Sequence, residues 1–274
     1  MEKIVSDGII NSFFQKLRNN LSIDCAIVGG VPSGLVAGYY FAKAGRKVAI
    51  FERRLAPGGG MWGGAMMFNN IILESEALSI LEEFNISYSQ YEKNQYVVDS
   101  VQATSSLIYH ATKAGVTIFN CFSVEDVVFR NEKVNGIVVN WAPVHREHLH
   151  VDPLIIIAKT VLESTGHDCE VAKIVAKKNN VKLNTPTGEL MGERSLSVEE
   201  GERATIENTK EIYPGLYVSG MAANSVSGGF RMGPNAAFGE KSSNPHRKQS
   251  EIKNERFWPL YNNHKSCVAI FQNC

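Results

Sequence analysis

The sequence predicts an α/β fold, and three consecutive features carry that prediction. An apolar run, Cys25-Ala26-Ile27-Val28, reads as a buried strand; the turn Gly29-Gly30-Val31-Pro32-Ser33-Gly34 follows it; a small-residue helix through Ala44 then leads to a second strand over 47–51 that ends at Glu52. A strand, a glycine turn, a helix and a second strand make a βαβ unit. In such a unit Gly29 permits the tight turn and Gly34 lets the helix pack closely on the strand. The free N–H groups at the helix start suit a pyrophosphate, and Glu52 can accept from ribose hydroxyls. The fold is therefore read as Rossmann-like and dinucleotide-binding. One position departs from the G-x-G-x-x-G pattern: Val31 stands where the central glycine belongs, and its side chain is expected to point where backbone must approach phosphate.

The remaining elements follow in order. Residues 1–20 carry Ile9, Ile10, Phe13, Phe14 and Leu17 at helical spacing and predict an amphipathic lead-in helix. After a second glycine cluster over 58–64, the pattern predicts a helix over 75–84, a strand over 96–99 and a helix over 100–114. Strands over 116–119, 124–130 and 134–141 come next, the last two joined as a hairpin by Asn131-Glu132-Lys133, which gives the domain a β-meander insertion. Asp152-Pro153 opens an apolar run through Glu163 that reads as helix then strand, with Asp152 as the helix cap. Residues 186–208 are charged and lack a period, so a mobile loop is expected, and a strand over 216–219 delivers a third glycine segment, Gly228-Gly229-Phe230-Arg231-Met232-Gly233-Pro234. The chain divides into one domain, 1–240, and a tail, 241–274, expected to be poorly ordered because 242–255 offer charge and turn formers but little apolar surface.

Composition narrows the function classes. Lys and Arg (28) balance Asp and Glu (28), so no global field draws the protein to nucleic acid or an anionic membrane, and partners must be recognised by local sites. The five cysteines show no C-x-x-C spacing and no apolar run approaches membrane-spanning length, which together predict reduced thiols in a cytoplasmic protein.

Two groups of residues carry chemistry beyond the glycine turn. His145, His148, His150, Asp152 and His167 offer imidazoles and a carboxylate suited to a divalent transition metal; no cysteine lies among them, which disfavours a zinc-finger site, and a His/Asp set with open positions suits Fe(II). Arg231, in a glycine loop after a strand, is placed to clamp a small carboxylate through two parallel hydrogen bonds.

Several separated motifs converge on one family. Ile27 to Gly34, Glu52-Arg53, Pro57-Gly58-Gly59-Gly60-Met61-Trp62, Val151-Asp152-Pro153, Thr165-Gly166-His167 and Gly229 to Pro234, in that order, resemble the thiamine thiazole synthases over residues 1–234. The resemblance implies a fold of the FAD-reductase (glutathione reductase) type, a homo-octamer, and a reaction in which NAD and glycine become an adenylated thiazole carboxylate. Carried over by matching position, Ser33, Glu52, Arg53, Gly60 and the backbone at Val124 would hold the adenosine and pyrophosphate, and Met221 would line the dinucleotide. Asp152 and His167 would bind Fe(II), from adjoining protomers, with His150 near the sulfide and Arg231 on the glycine carboxylate.

The family has two subtypes, and position 150 separates them. One subtype carries a cysteine two residues before the metal-binding aspartate and donates that sulfur, spending itself in one turnover. Here His150 stands at that position, so the chain resembles the subtype that takes free sulfide and turns over repeatedly. After Pro234 the tail departs from the family, with Asn235-Ala236-Ala237-Phe238-Gly239-Glu240 and no helical apolar stripe beyond. Alternatives are an FAD-dependent oxidoreductase on the same fold, a ribose 1,5-bisphosphate isomerase, and a nucleotide-binding homologue weakened by Val31 and the tail.

Overall fold

The computed structural model of the protein describes residues 1–232. The chain opens with α1 (Glu2–Asn19), whose inner contact is Leu17, and enters β1 (Ser22–Val28). The glycine turn leads into α2 (Pro32–Lys43), with Pro32 in its first turn where no intrahelical N–H partner is needed, and then β2 (Val48–Glu52). Every residue of β2 is buried, as are the last four of β1, which is the burial of a parallel strand covered on both faces. The βαβ unit expected from the sequence is thus present.

After β2 the second glycine cluster forms a 3-10 turn over Gly59–Gly63 that buries Met61. A small antiparallel sheet follows, built from β3 (Asn70–Glu74), then after α3 (Leu78–Glu83) from β4 (Tyr88–Glu92) and β5 (Gln95–Asp99), in the spatial order β3-β5-β4. The helix expected over 75–84 is divided into a 3-10 turn, Ser75–Ala77, and α3. Two of the three strands escaped the sequence pattern. All residues of β4 are exposed, so no apolar alternation marks it. Asp99 then caps α4 (Ser100–Lys113) by accepting from the Gln102 N–H at 2.7 Å.

The main sheet is completed by β6 (Thr117–Asn120), the hairpin β7 (Phe122–Arg130) and β8 (Lys133–Trp141), the short α5 (Ala142–Arg146), and β9 (Leu154–Glu163). Here one expectation is corrected. The run after Asp152-Pro153 is not helix then strand but a continuous ten-residue strand, and Asp152 caps no helix. The reason is tertiary: β9 pairs in parallel with β1 along one edge, while its other edge takes β8 antiparallel in its first half. The chain continues through α6 (Glu170–Asn179), β10 (Arg194–Leu196), α7 (Val198–Asn208), β11 (Glu211–Tyr213) and β12 (Leu216–Val218), and β12 pairs with the second half of that same β9 edge. With all of its length paired, β9 has no helical alternative.

The stretch 186–208 is also corrected, from mobile loop to a segment containing β10 and α7. The buried face of α7 consists of Gly201, Glu202 and Thr205, so a real helix left no period of large apolar residues to read. The described chain ends with α8 (Met221–Ser227) and β13 (Phe230–Arg231), which pairs with β10. The path of the large sheet is β11-β12-β9-β1-β2-β6, with the β7-β8 hairpin joined to β9 through β8. This is a Rossmann-like α/β arrangement with a small antiparallel insertion. The proposed tail, 241–274, lies outside the described residues.

Alternation along the central strands feeds two cores. Cys25, Ile27, Val48 and Ile50 face α2, α3 and α4, whereas Ala26, Val28, Ala49 and Phe51 face the second core with β7, β8 and α6. No helix among the described residues is long and apolar enough to cross a membrane.

The tightest backbone approach in the sheet lies between β8 and β9. Gly136 has φ +151, and a Cβ there would lie 2.1 Å from the Ile156 carbonyl oxygen. Gly136→Ala is therefore expected to destabilise the fold by about 2–4 kcal/mol, a magnitude typical of a backbone clash that the core must absorb. Urea unfolding followed by circular dichroism would show it as a lower midpoint at unchanged slope.

Candidate functional site

The C-terminal ends of β1, β2 and β9 meet at a cavity of about 310 Å³, walled on a further side by β7. Brought together on its lining are Val31, Glu52, Arg53, Gly60, Val124 and His167, all singled out in the sequence. The open end of a parallel sheet beside a helix start is where such folds take nucleotides.

Glu52 does more than offer an acceptor. Its Oε2 accepts the Gly30 N–H at 2.7 Å and its Oε1 accepts the Arg54 N–H at 2.7 Å, so the buried carboxylate braces the glycine turn against its own strand end. Each oxygen retains a second lone pair for a ribose hydroxyl. The two glycine clusters are also joined, because the Gly58 N–H donates to the Gly30 carbonyl at 2.6 Å. Val31 packs here: its Cγ1 would lie 2.8 Å from a Cβ placed on Gly59. The branched side chain thus leans on the second cluster while also lining the cavity.

Across the cavity, Arg53 forms ion pairs with Asp168, at 2.7 Å, and with Glu170. Burial acts against the charge on Arg53, yet Glu170 and Asp168 beside it raise its pKa above the ordinary arginine value. The Glu170 carboxyl is raised chiefly by burial, with Arg53 acting in the opposite sense.

The turn carrying His167 is fixed from behind by Glu163. This side chain, fully buried at the end of β9, accepts the Val171 N–H at 2.7 Å, the Ala172 N–H at 2.8 Å and the Thr165 hydroxyl at 2.9 Å. It therefore receives N–H groups that α6 leaves free in its first turn. Burial pushes its carboxyl up to about 7, against the lowering effect of those hydrogen bonds from Ala172, Thr165 and Val171. His167 itself is exposed at the cavity, its Nδ1 lies 3.0 Å from a Glu193 carboxylate oxygen, and its carbonyl accepts the Ser225 hydroxyl at 3.1 Å.

Other expected site residues are not brought to this lining. Ser33 is fully buried in the first turn of α2, its hydroxyl accepting from Ser219 at 3.3 Å, and Met221 is buried at the start of α8. His150 and Asp152 are exposed in the segment between α5 and β9, and Arg231 is exposed on β13. Among the described residues, no three His, Cys, Asp or Glu side chains of the one chain converge as a metal-binding group. Sequence reasoning missed Glu163, Asp168, Glu170 and Glu193. An acid closing an apolar run and the acids flanking His167 were the available signals for the first three; Glu193 sat in the stretch read as a loop.

The same set of motifs is matched by the model of the Thi4 family over residues 6–236. The chain belongs to the Thi4 family. It is 52% identical over 230 residues to a thiamine thiazole synthase of Methanothermobacter thermautotrophicus, covering 84% of this chain and 89% of that one. It is 50% identical over 231 residues to the thiamine thiazole synthase of Pyrococcus furiosus, covering 84% and 89% respectively. Among solved structures it is similar to THI4 of Thermovibrio ammonificans, with a TM-score of 0.83 and 48% identity over 86% of this chain and 91% of that chain. With membership goes the broad activity, thiazole synthesis in thiamine biosynthesis.

Glu163 gives a pH signature to this site. Its folded pKa, about 7, lies above the ordinary glutamate value of 4.5, so the folded state holds the proton more tightly than the unfolded chain. The stability this contributes is complete below the ordinary value and is lost as pH rises through the folded one. Glu163→Gln, which cannot ionise, is expected to flatten the fall in unfolding free energy between those two pH values. Denaturant unfolding across that range measures it, and an equally steep fall in the variant would assign the dependence elsewhere.

Proposed function

We propose that this Thi4-family chain converts NAD, glycine and free sulfide into an adenylated thiazole carboxylate, with Fe(II) as its metal. The observation that carries the reading is a single cavity that joins the glycine turn, Glu52 and Arg53 to His167. A dinucleotide held at the turn would extend its ribose toward that imidazole.

In this reading Glu52 accepts from the adenosine ribose while bracing the turn, and the N–H groups at the start of α2, Ser33 among them, face the pyrophosphate. Arg53 exchanges its carboxylate partners for phosphate oxygens, a substitution favoured by the same fork geometry. Gly60 and the backbone at Val124 close the adenosine side, Met221 backs the dinucleotide from α8, and Arg231 holds the glycine carboxylate. The donor chemistry fits Fe(II): His167 supplies an imidazole whose Nδ1 is already engaged, leaving Nε2 for a metal, and Asp152 supplies a free carboxylate. Iron would provide Lewis acidity for sulfide delivery and for polarising a sugar oxygen.

In this proposal Asp152 reaches the metal from an adjoining protomer, with His150 near the sulfide, which accords with their exposure away from the chain's own cavity. An octamer is also consistent with α1, where Ile4, Val5, Ile9, Ile10 and Phe14 stand exposed. Imidazole has no sulfur to give. Cys25 is fully buried with its thiol pushed up to about 12 by burial, which removes it as a nucleophilic donor.

Two expected outcomes test this reading. Thiazole should form only when Fe(II) and sulfide are supplied anaerobically, more than once per chain, and with the protein mass unchanged. Thiazole formed without sulfide, with a cysteine converted to dehydroalanine, would overturn the sulfide-dependent assignment. Val31→Gly should tighten NAD binding by calorimetry, because bare backbone then meets the pyrophosphate. An unchanged or weaker affinity would show that Val31 is matched to Gly59 at no cost to the ligand.

A further inference from the structure

We infer that Glu193 is a positioning residue for His167, holding the imidazole as the Nδ1–H tautomer so that Nε2 keeps the lone pair. Both carboxylate oxygens of Glu193 lie 3.0 Å from Nδ1. A carboxylate only accepts, so Nδ1 must donate, and the neutral ring then has Nε2 as its sole acceptor. A carboxylate behind a histidine in this way fixes ring orientation and raises the basicity of the far nitrogen.

The pair is held on both sides, which distinguishes it from a chance surface contact. On the Glu193 side the backbone is tied at two points, the Met191 N–H to the Val226 carbonyl at 3.1 Å and the Arg194 N–H to the Gly229 carbonyl at 2.9 Å. The Glu193 side chain is only 17% exposed although it belongs to a segment of charged sequence. On the histidine side the Ser225 hydroxyl donates to the His167 carbonyl at 3.1 Å, and Glu163 secures the strand end from which the turn departs. Ser225 and Val226 lie on α8, so one helix anchors both partners. The consequence is a ring whose orientation is decided before any ligand arrives.

This inference rests on the proposed role of His167 as a metal ligand, and the experiment separates the two. Selectively ¹⁵N-histidine-labelled full-length protein, without metal, is compared as wild type, Glu193→Ala, Glu193→Gln and His167→Ala, the last identifying the His167 signals. The Nδ1–H tautomer should dominate in the wild type and in Glu193→Gln, whose amide oxygen still accepts, and should give way to a mixture or to Nε2–H in Glu193→Ala. A wild-type tautomer retained in Glu193→Ala overturns the inference whatever His167 binds. Anaerobic Co(II) titration of the same proteins gives the second readout, with Glu193→Ala expected to bind about 10–100-fold more weakly and NAD affinity expected to stay unchanged. Wild-type Co(II) affinity in Glu193→Ala overturns the positioning role if His167→Ala has lost binding. Wild-type affinity in His167→Ala instead removes the metal reading, and with it the purpose assigned to Glu193. Thermal unfolding of each variant confirms that a folded protein is being compared, and Glu193→Gln keeps the test available if the alanine variant does not fold.

Discussion

The cavity depends on how closely the first glycine turn packs on the end of β9. Gly29 has φ +97, and a Cβ there would lie 2.3 Å from the Ser164 carbonyl oxygen, so only a residue without a side chain allows the two chain segments to meet. Two hydrogen bonds knit the strand ends at that contact, from the Gly29 N–H to the Phe51 carbonyl and from the Ser164 N–H to the Val28 carbonyl. Everything that the cavity gathers is positioned from this junction: Glu52 and Arg53 on the β2 side, the His167 turn on the β9 side. A displacement here would move both walls at once.

Around that junction the site is stiffened by carboxylates used in different ways. Glu52 ties a strand end to a turn through backbone N–H groups, and Glu163 serves the first turn of α6 in the same manner. Glu193 works on a side chain, and Asp168 with Glu170 holds a guanidinium across the opening. Each acid meets a donor, as burial near an apolar sheet demands. The neutral overall charge of the chain conceals this concentration of acids at one end of the sheet, which is why composition alone pointed to no polar site.

What could be read from the sequence was whatever local pattern decides. The βαβ unit was legible because β1 and β2 are continuous apolar runs and the turn between them has its own residue chemistry. The hairpin of β7 and β8 was legible from two alternating segments around Asn131 and Glu132, both of which adopt positive φ. By contrast β9 owes its form to three partner strands, and α7 buries glycine, glutamate and threonine, so neither writes its structure into an apolar period. For the site the division is similar. Glu52, Arg53, Gly60, Val124 and His167 share one cavity as their motifs suggested. Glu193, distant from His167 in sequence, became visible only through a contact, and a side chain that acts by holding another leaves no motif.

The pairing of β1 with β9 has a bearing on how the protein is made. Val28 and Glu163 are register partners although more than a hundred residues separate them, and the free edge of β9 is completed later still by Leu216 to Val218. During synthesis the N-terminal βαβ unit must therefore wait with an apolar strand edge unpaired until the ribosome has delivered β9. Such an edge is a template for pairing with another nascent chain, and contacts so remote in sequence form slowly. The exposed edge of β1 is therefore the place where a nascent chain with this strand order is open to misassembly.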